Sequence, residues 1–298
     1  MRRFLLLRGL QSLVVIAIMS FVIYALIGLM PGDPIDLMIS ANPNMTAADA
    51  AVLRELYGLD LPIYERYWNW VTAALQGDLG YSMRKQRPAM ELVLEAYPTT
   101  LKLAGLTMVI AMVLAVIVGA LAAYRPGGVF DRISSIGSLA GASAPDFWIA
   151  ITGILIFSVH FRWLPTSGVG DLPYWIMPIT VLALRPFGLL VQVVRAAMLS
   201  ALSSAYVKTA RAKGVREHSV IFVHALRNAC LSVVTVAGDL AVVLINGAVI
   251  VETVFGWPGV GKLMIDSVIQ RDFPIVQADI MVTATAIFLL NIVIDLVY

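Results

Sequence analysis

The chain has 298 residues, of which 60% are hydrophobic and only 13% charged, with a formal net charge of +2. Soluble domains are about 45–50% apolar and about 25% charged, so this composition excludes an ordinary soluble domain. The uncharged runs 9–32 and 103–124 exceed the roughly 20 residues that a helix needs to cross a bilayer core. We therefore predict an all-α integral membrane protein.

Apolar windows predict about six transmembrane helices, at 9–30, 99–124, 134–160, 174–198, 229–253 and 276–298. Arg2, Arg3 and Arg8 near the N-terminus, and the basic residues of the loops 125–132 and 208–227, fall on one side of the membrane. The positive-inside rule makes that side cytoplasmic, with both termini there. The other side carries the segment 31–98 and two loops, 161–173 and 254–275.

The segment 31–98 separates residues 1–30, which form the N-terminus and first span, from the core 99–298. Thr46 and Asp49 open a predicted amphipathic helix that Gly58 ends. A second short helix is predicted over 62–75, with aromatic residues that either anchor at the membrane interface or form a docking surface. The sequence therefore predicts a small helical extracytoplasmic segment between the first two spans.

The run Gly256-Trp-Pro-Gly-Val-Gly261-Lys262 fits the first seven positions of the phosphate-binding loop G-x-x-x-x-G-K-[ST]. The eighth residue is Leu263, which lacks the hydroxyl that holds Mg²⁺, and Pro258 lacks an N–H for phosphate. We interpret the run as a turn back into the membrane, with Trp257 at the interface.

The sequence contains no arrangement typical of catalysis or metal binding. Its three histidines, His160, His218 and His224, lack paired helical spacing, and Cys230 is the single cysteine. No cofactor and no metal are expected in this chain.

Ionisable residues within predicted spans are costly and usually face a cavity or a partner. Asp146, Arg185 and Asp239 are such residues; Gln192 and Asn246 follow the last two by seven positions, on the same helical faces. These residues either line a translocation pathway or pair for structure alone. Pro145 and Pro186 predict kinks.

A basic, amphipathic segment lies in the predicted cytoplasmic loop 199–228. Residues 206–213 have helical propensity, Gly214 is suited to the position after a helix end, and a second helix is predicted over 215–228. The small residues Ala210, Ala212 and Gly214 would let this tip approach another protein closely. The alternative is a loop that contacts lipid headgroups.

This segment resembles the cytoplasmic signature of membrane subunits in binding-protein-dependent ABC importers: Glu-Ala-Ala, three residues, Gly, nine residues, Ile-x-Leu-Pro. Ala210, Gly214 and Leu226 match it, whereas Lys208, Thr209, His224 and Arg227 depart from it. The form found here is similar to that of the dipeptide, oligopeptide and nickel permease subgroup. Further similar markers are Met30-Pro-Gly-Asp-Pro34, Gly77-Asp-Leu-Gly80-Tyr-Ser82, Trp163-Leu-Pro165, Val251 to Gly261 and Arg271-Asp-Phe-Pro274.

The resemblance implies a type I ABC importer permease fold and the first of two homologous permease subunits, often followed by a short basic tail. It also implies two cytoplasmic subunits that bind ATP and Mg, a periplasmic or lipid-anchored binding protein, and a bacterial or archaeal plasma membrane. Membrane lipid is the other expected partner, and nucleic acid is not one. The residues implied to couple to an ATPase are Lys208, Thr209, Ala210, Arg211, Ala212, Lys213, Gly214 and Val215; those implied to help dock the binding protein are Trp257, Arg271 and Asp272.

The expected function is import of di- or oligopeptides, with catalysis of ATP hydrolysis in the partner subunits. Nickel or a metallophore is the alternative cargo, because no residue chooses between the two branches. A membrane scaffold or sensor that conducts nothing is the alternative from another class.

Overall fold

The computed structural model describes residues 2–28, 61–82 and 84–297, which form eleven helices and one two-stranded hairpin. The helices are α1 Arg2–Gly28, α2 Ile63–Leu75, α3 Ala89–Tyr124, α4 Val129–Ser143, α5 Asp146–Gly153, α6 Leu172–Ser203, α7 Ala205–Ala212, α8 Glu217–Ser219, α9 Leu226–Phe255, α10 Val260–Gln270 and α11 Phe273–Val297. π-helical turns Ile154–His160 continue α5, and Val220–Ala225 join α8 to α9. Strands β1 Tyr81–Ser82 and β2 Arg87–Pro88 pair antiparallel.

Among the described residues, five helices are long and apolar enough to cross a membrane: Gly9–Gly28, Ala89–Tyr124, Leu172–Ser203, Ser232–Phe255 and Phe273–Ile294. A sixth span is reached if the bent pair Val129–Ser143 and Asp146–His160 counts as one. This agrees with the predicted all-α fold of about six spans. The predicted helix after Thr46 lies outside the described residues.

The kink predicted at Pro145 in the third span, 134–160, is confirmed and is sharp, because α4 and α5 meet at an angle of 100°. Ala144 ends α4 with extended backbone, at φ −76° and ψ 138°. A proline disfavours the α conformation of the residue before it, so Pro145 accounts for the break. By contrast, α6 continues as one helix through Pro178 and Pro186.

The described residues divide into two compact units, Met1–Ala96 with Leu263–Ile292 and Tyr97–Lys262 with Val293–Tyr298. In the first unit, Tyr67 of α2 packs edge-on against Phe21 of α1 at 5.2 Å between ring centroids, and Trp70 lies 5.7 Å from Tyr24. Two of the aromatic residues predicted at the interface therefore join α2 to α1. Tyr64 and Trp68 are exposed.

The second unit has its core between α3, α6 and α9. Leu190, Val191 and Val194 of α6 are completely buried. A Cβ on Gly119 of α3 would lie 2.7 Å from the Cβ of Val194, closer than real contacts allow. Small residues of this kind let membrane helices pack closely, as α3 does against α6. The burial of Leu190, Val191 and Val194 places α6 in the core of this unit.

Candidate functional site

The segment predicted to couple to an ATPase forms a short helix at the end of α6. Only Ser204, with extended backbone, separates α6 from α7. Val207 is completely buried and holds α7 against the rest of the unit. Lys208, Thr209, Arg211, Ala212, Lys213 and Gly214 are exposed, and Ala210 and Val215 are half-buried. One anchoring side chain thus leaves the predicted contact residues accessible.

Gly214 ends α7 as the sequence predicts. Its φ is +73°, which is favourable only for glycine among common residues. Val215 N–H donates to Ala210 O at 3.2 Å, and Gly214 N–H donates to Arg211 O at 2.9 Å. Such bonds satisfy the last carbonyls of a helix and reverse the chain direction. The predicted helix, glycine and second helix are therefore confirmed, the second helix beginning at Glu217.

An ion pair that the sequence analysis missed closes this turn. Arg211 Nη2 lies 2.5 Å from Glu217 Oε1, and Arg211 Nε lies 3.1 Å from Glu217 Oε2. The two hydrogen bonds lower the pKa of Glu217 and raise that of Arg211. Both side chains are nearly half exposed. The sequence did contain a signal for this pair, because a basic and an acidic residue lie on either side of Gly214.

The five residues predicted for the pathway have different surroundings. Asp239 and Asn246 are both exposed on α9, Arg185 is exposed on α6, and Asp146 is half-buried at the start of α5. Gln192 Nε2 instead donates to Ser138 Oγ at 2.7 Å and to Ser135 O at 3.3 Å. Gln192 therefore holds α4 against α6, which favours the structural alternative for this residue.

The three residues predicted to dock the binding protein also have different surroundings. Trp257 is completely buried, with its ring 4.6 Å from that of Trp175, which disfavours its prediction as an interface and docking residue. Asp272 is 7% exposed and accepts a hydrogen bond from Ser82 Oγ at 2.5 Å. That bond fastens the β1–β2 hairpin, which makes Asp272 a structural residue. Arg271 is exposed at a turn with φ +55°.

The loop 256–262 surrounds a carboxylate of this chain. Glu252, completely buried at the end of α9, accepts Gly261 N–H at 2.8 Å, Lys262 N–H at 3.2 Å and Thr100 Oγ–H at 2.5 Å. Thr100 Oγ1 in turn accepts Val260 N–H at 2.9 Å. Free N–H groups at a helix N-terminus attract anions, so the start of α10 stabilises this charge.

Two glycines of this loop, Gly259 and Gly261, are explained by their close approach to α9, and only Gly261 is a glycine position of the phosphate-loop pattern. A Cβ on Gly259 would overlap the Glu252 carboxylate, and one on Gly261 would lie 2.5 Å from Val249 Cα. Sequence reasoning missed Glu252, although an acidic residue in the apolar run 249–255 was a signal. No group of three His, Cys, Asp or Glu side chains suited to a metal occurs among the described residues.

Relatives with known roles match nearly the whole chain. The glutathione transport system permease protein GsiC of Escherichia coli O6:H1 is 37% identical over 281 residues, covering 94% of this chain and 91% of that protein. The di/tripeptide transport system permease protein DppB of Pseudomonas aeruginosa is 38% identical over 303 residues, covering 92% and 90%.

A solved structure supports the fold. A crystal structure of an amino acid ABC transporter with histidines matches with a TM-score of 0.55 at 17% identity, over 69% of this chain and 92% of that one. The chain therefore has the type I permease fold and is a multi-pass membrane protein.

Two family descriptions cover the chain. Residues 1–104 match the N-terminal region of binding-protein-dependent transport system membrane components. Residues 90–298 match the inner membrane component itself. The chain belongs to the family of binding-protein-dependent transport system inner membrane components, the permease subunits of ABC importers of the dipeptide and oligopeptide type.

Proposed function

We propose that this protein is the first permease subunit of an ABC importer for di- or oligopeptides. The observation that carries the proposal is the similarity to relatives named for glutathione and di/tripeptide transport, which covers more than nine tenths of this chain. A nickel or metallophore importer of the same family is the alternative cargo class. The family assignment disfavours a scaffold that conducts nothing.

The importer contains a second homologous permease, two cytoplasmic ATP-binding subunits and a periplasmic or lipid-anchored binding protein. ATP and Mg are held by the ATP-binding subunits, and hydrolysis occurs there rather than in this chain. Both termini and the loop 199–228 lie on the cytoplasmic side. Three features support this arrangement: the family, the distribution of basic residues, and the use of the loop 256–262 to bind Glu252.

Helix α7 transmits the motion of an ATP-binding subunit to the spans. Its exposed face and its ending at Gly214 suit a groove on that subunit, and Val207 links it to the core. Closure of the two ATP-binding subunits would displace α7 and, because only Ser204 intervenes, α6 as well. Packed interfaces move between discrete arrangements, so a rigid helix in a groove can convert hydrolysis into alternating access.

Changes at the tip of α7 test this coupling. Gly214→Asp introduces strain at φ +73°, and Ala210→Trp adds bulk beside it. We expect both to abolish uptake and peptide-stimulated ATP hydrolysis in vesicles that contain the complete transporter, with membrane abundance unchanged. Gly214→Asn should retain more activity than Gly214→Asp, because it places a side chain of the same size at this position without a negative charge. Stimulated hydrolysis that persists in Gly214→Asp and Ala210→Trp would contradict the coupling role.

The cargo is tested separately, by identifying the ligand that co-purifies with the partner binding protein. Peptides support the proposal, whereas nickel or a metallophore would transfer the chain to the alternative class. Unchanged peptide uptake by Asp239→Asn, measured in the same vesicles, would leave Asp239 outside the pathway.

A further inference from the structure

A partly buried ion pair that the proposed function does not use joins α4 to α6. Asp131 on the first turn of α4 is 4% exposed. Arg195 of α6 donates from Nη2 to Asp131 Oδ2 at 2.8 Å and from Nε to Oδ1. Gly127 N–H donates to Oδ2 at 2.8 Å. The carboxylate is thus held by the guanidinium on one side and by its own loop on the other.

The pair is one end of a line of contacts between the two helices. Next along α6 is Gln192, which donates to Ser138 Oγ at 2.7 Å. One turn further, Gly188 lies so close to the backbone of Ser138 that a Cβ there would overlap it. From Asp131 to Ser138 the residue numbers rise along α4, while their partners fall from Arg195 to Gly188 along α6. The two helices therefore run antiparallel and contact each other along about two turns of α4.

This line of contacts lies between the end of α6 that leads to α7 and the helix α4 that leads to the break. Arg195 precedes the end of α6 at Ser203 by eight residues, about 12 Å of helix, and α7 begins two residues later. The other end of α4 is the 100° break before Asp146. The contacts therefore connect the helix that carries α7 to the helix that ends at the break.

We propose that Asp131 and Arg195 are a positioning pair that makes α4 follow α6 when α7 is displaced, so that the motion reaches the break at Pro145. The inference rests on the proposed coupling role of α7. Apolar side chains can slide past one another, whereas a two-point contact between charged groups has one favourable geometry. A buried pair often adds little stability over apolar residues, so its role here is to keep α4 and α6 in register.

The test uses vesicles that contain the complete transporter, with peptide uptake and ATP hydrolysis measured on the same preparation. Asp131→Asn and Arg195→Gln should each lower uptake per ATP hydrolysed by at least about fivefold, the lower end of typical coupling factors. The double variant should regain part of that ratio, because two amides can bond without an unpaired buried charge. Arg132→Gln, which removes an exposed charge next to Asp131, should leave the ratio unchanged.

A distance measurement reports the motion itself. After replacement of Cys230, spin labels at Ile136→Cys on α4 and Leu189→Cys on α6, both exposed positions, should keep one distance with and without ATP when Asp131 and Arg195 are present. With Asp131→Asn, that distance should change between the two states. The label pair needs folded protein but not transport, so it also tests variants that lose uptake.

The outcomes separate this inference from the coupling role on which it rests. If Gly214→Asp uncouples transport but the pair variants keep the native ratio of uptake to hydrolysis, the positioning inference is overturned alone. A proportional fall of uptake and hydrolysis, with a constant label distance, would also overturn it, since that is what a purely structural pair predicts. If Gly214→Asp itself leaves coupling intact, the proposed function fails first.

Discussion

Glu252 illustrates how a single buried residue organises the loop that follows it. An unpaired buried carboxylate is very costly, and here its two oxygens receive three hydrogen bonds. The glycines at 259 and 261 are required because the backbone has to approach that carboxylate closely. Gly261, the second glycine of the phosphate-loop pattern, therefore serves close packing around an internal carboxylate.

Gly259→Ala should lower the free energy of unfolding by about 1–3 kcal/mol, because the new methyl group overlaps the Glu252 carboxylate. Thermal unfolding in detergent measures the change. Gly137→Ala is the matched control: no atom lies within 4 Å of its Cβ, and alanine favours a helix. In a Glu252→Ala background, Gly259→Ala should have little further effect; an equal effect in both backgrounds would contradict the assigned clash.

The exposed pair Arg211–Glu217 should contribute modestly to coupling. Because the pKa of Glu217 is lowered, its contribution is complete above the ordinary glutamate value of about 4.3 and is lost as the pH falls through the lowered value. The contribution of this pair to uptake should therefore not vary with pH near neutrality. Glu217→Gln should lower uptake at low salt by no more than about fivefold, and about 1 M salt should remove the difference. A loss that salt leaves unchanged would indicate another role for Glu217.

At the scale of elements, proline has opposite effects in two helices: it accompanies the bend between α4 and α5, but it does not interrupt α6. Pro145 follows the extended Ala144 and breaks the helix, whereas Pro178 and Pro186 lie inside α6. A proline inside a membrane helix is tolerated where neighbouring helices support the chain, and α6 is packed in the core of its unit. The same residue type therefore breaks the helix at Pro145 and is accommodated within α6, where the surrounding helices support the chain.

Pro145→Ala should partly straighten the α4–α5 pair, because it restores a backbone N–H and releases Ala144 to the α conformation. After replacement of Cys230, spin labels at Leu139→Cys and Ile151→Cys, both exposed, are twelve residues apart. Their distance should increase toward the roughly 18 Å of a straight helix. Pro178→Ala is the control and should leave the distance unchanged, as should Pro145→Ala itself if the bend is imposed by packing alone.

For the whole molecule, the proposed orientation places the tip of α7 and the β1–β2 hairpin on opposite sides of the membrane. After replacement of Cys230, a cysteine at Lys213 should react with an impermeant thiol reagent only from the cytoplasmic side. A cysteine at Arg84 should react only from the outer side; both original residues are exposed. Labelling of both from the same side would contradict the topology.

Patterns of neighbouring residues in the sequence were sufficient to predict much of the architecture. Long uncharged runs predict spans because a bilayer requires them, and a helix followed by glycine predicts the end of α7, since both depend on neighbouring residues alone. The motifs around Gly214 were likewise enough to reach the family. Partners far apart along the chain were beyond such reasoning. Asp131 and Arg195 are 64 residues apart and Thr100 and Glu252 are 152 apart, so only the packing of the helices brings them together. The same packing buries Trp257 and commits Gln192 to α4, because the helical period identifies a face but not its neighbour.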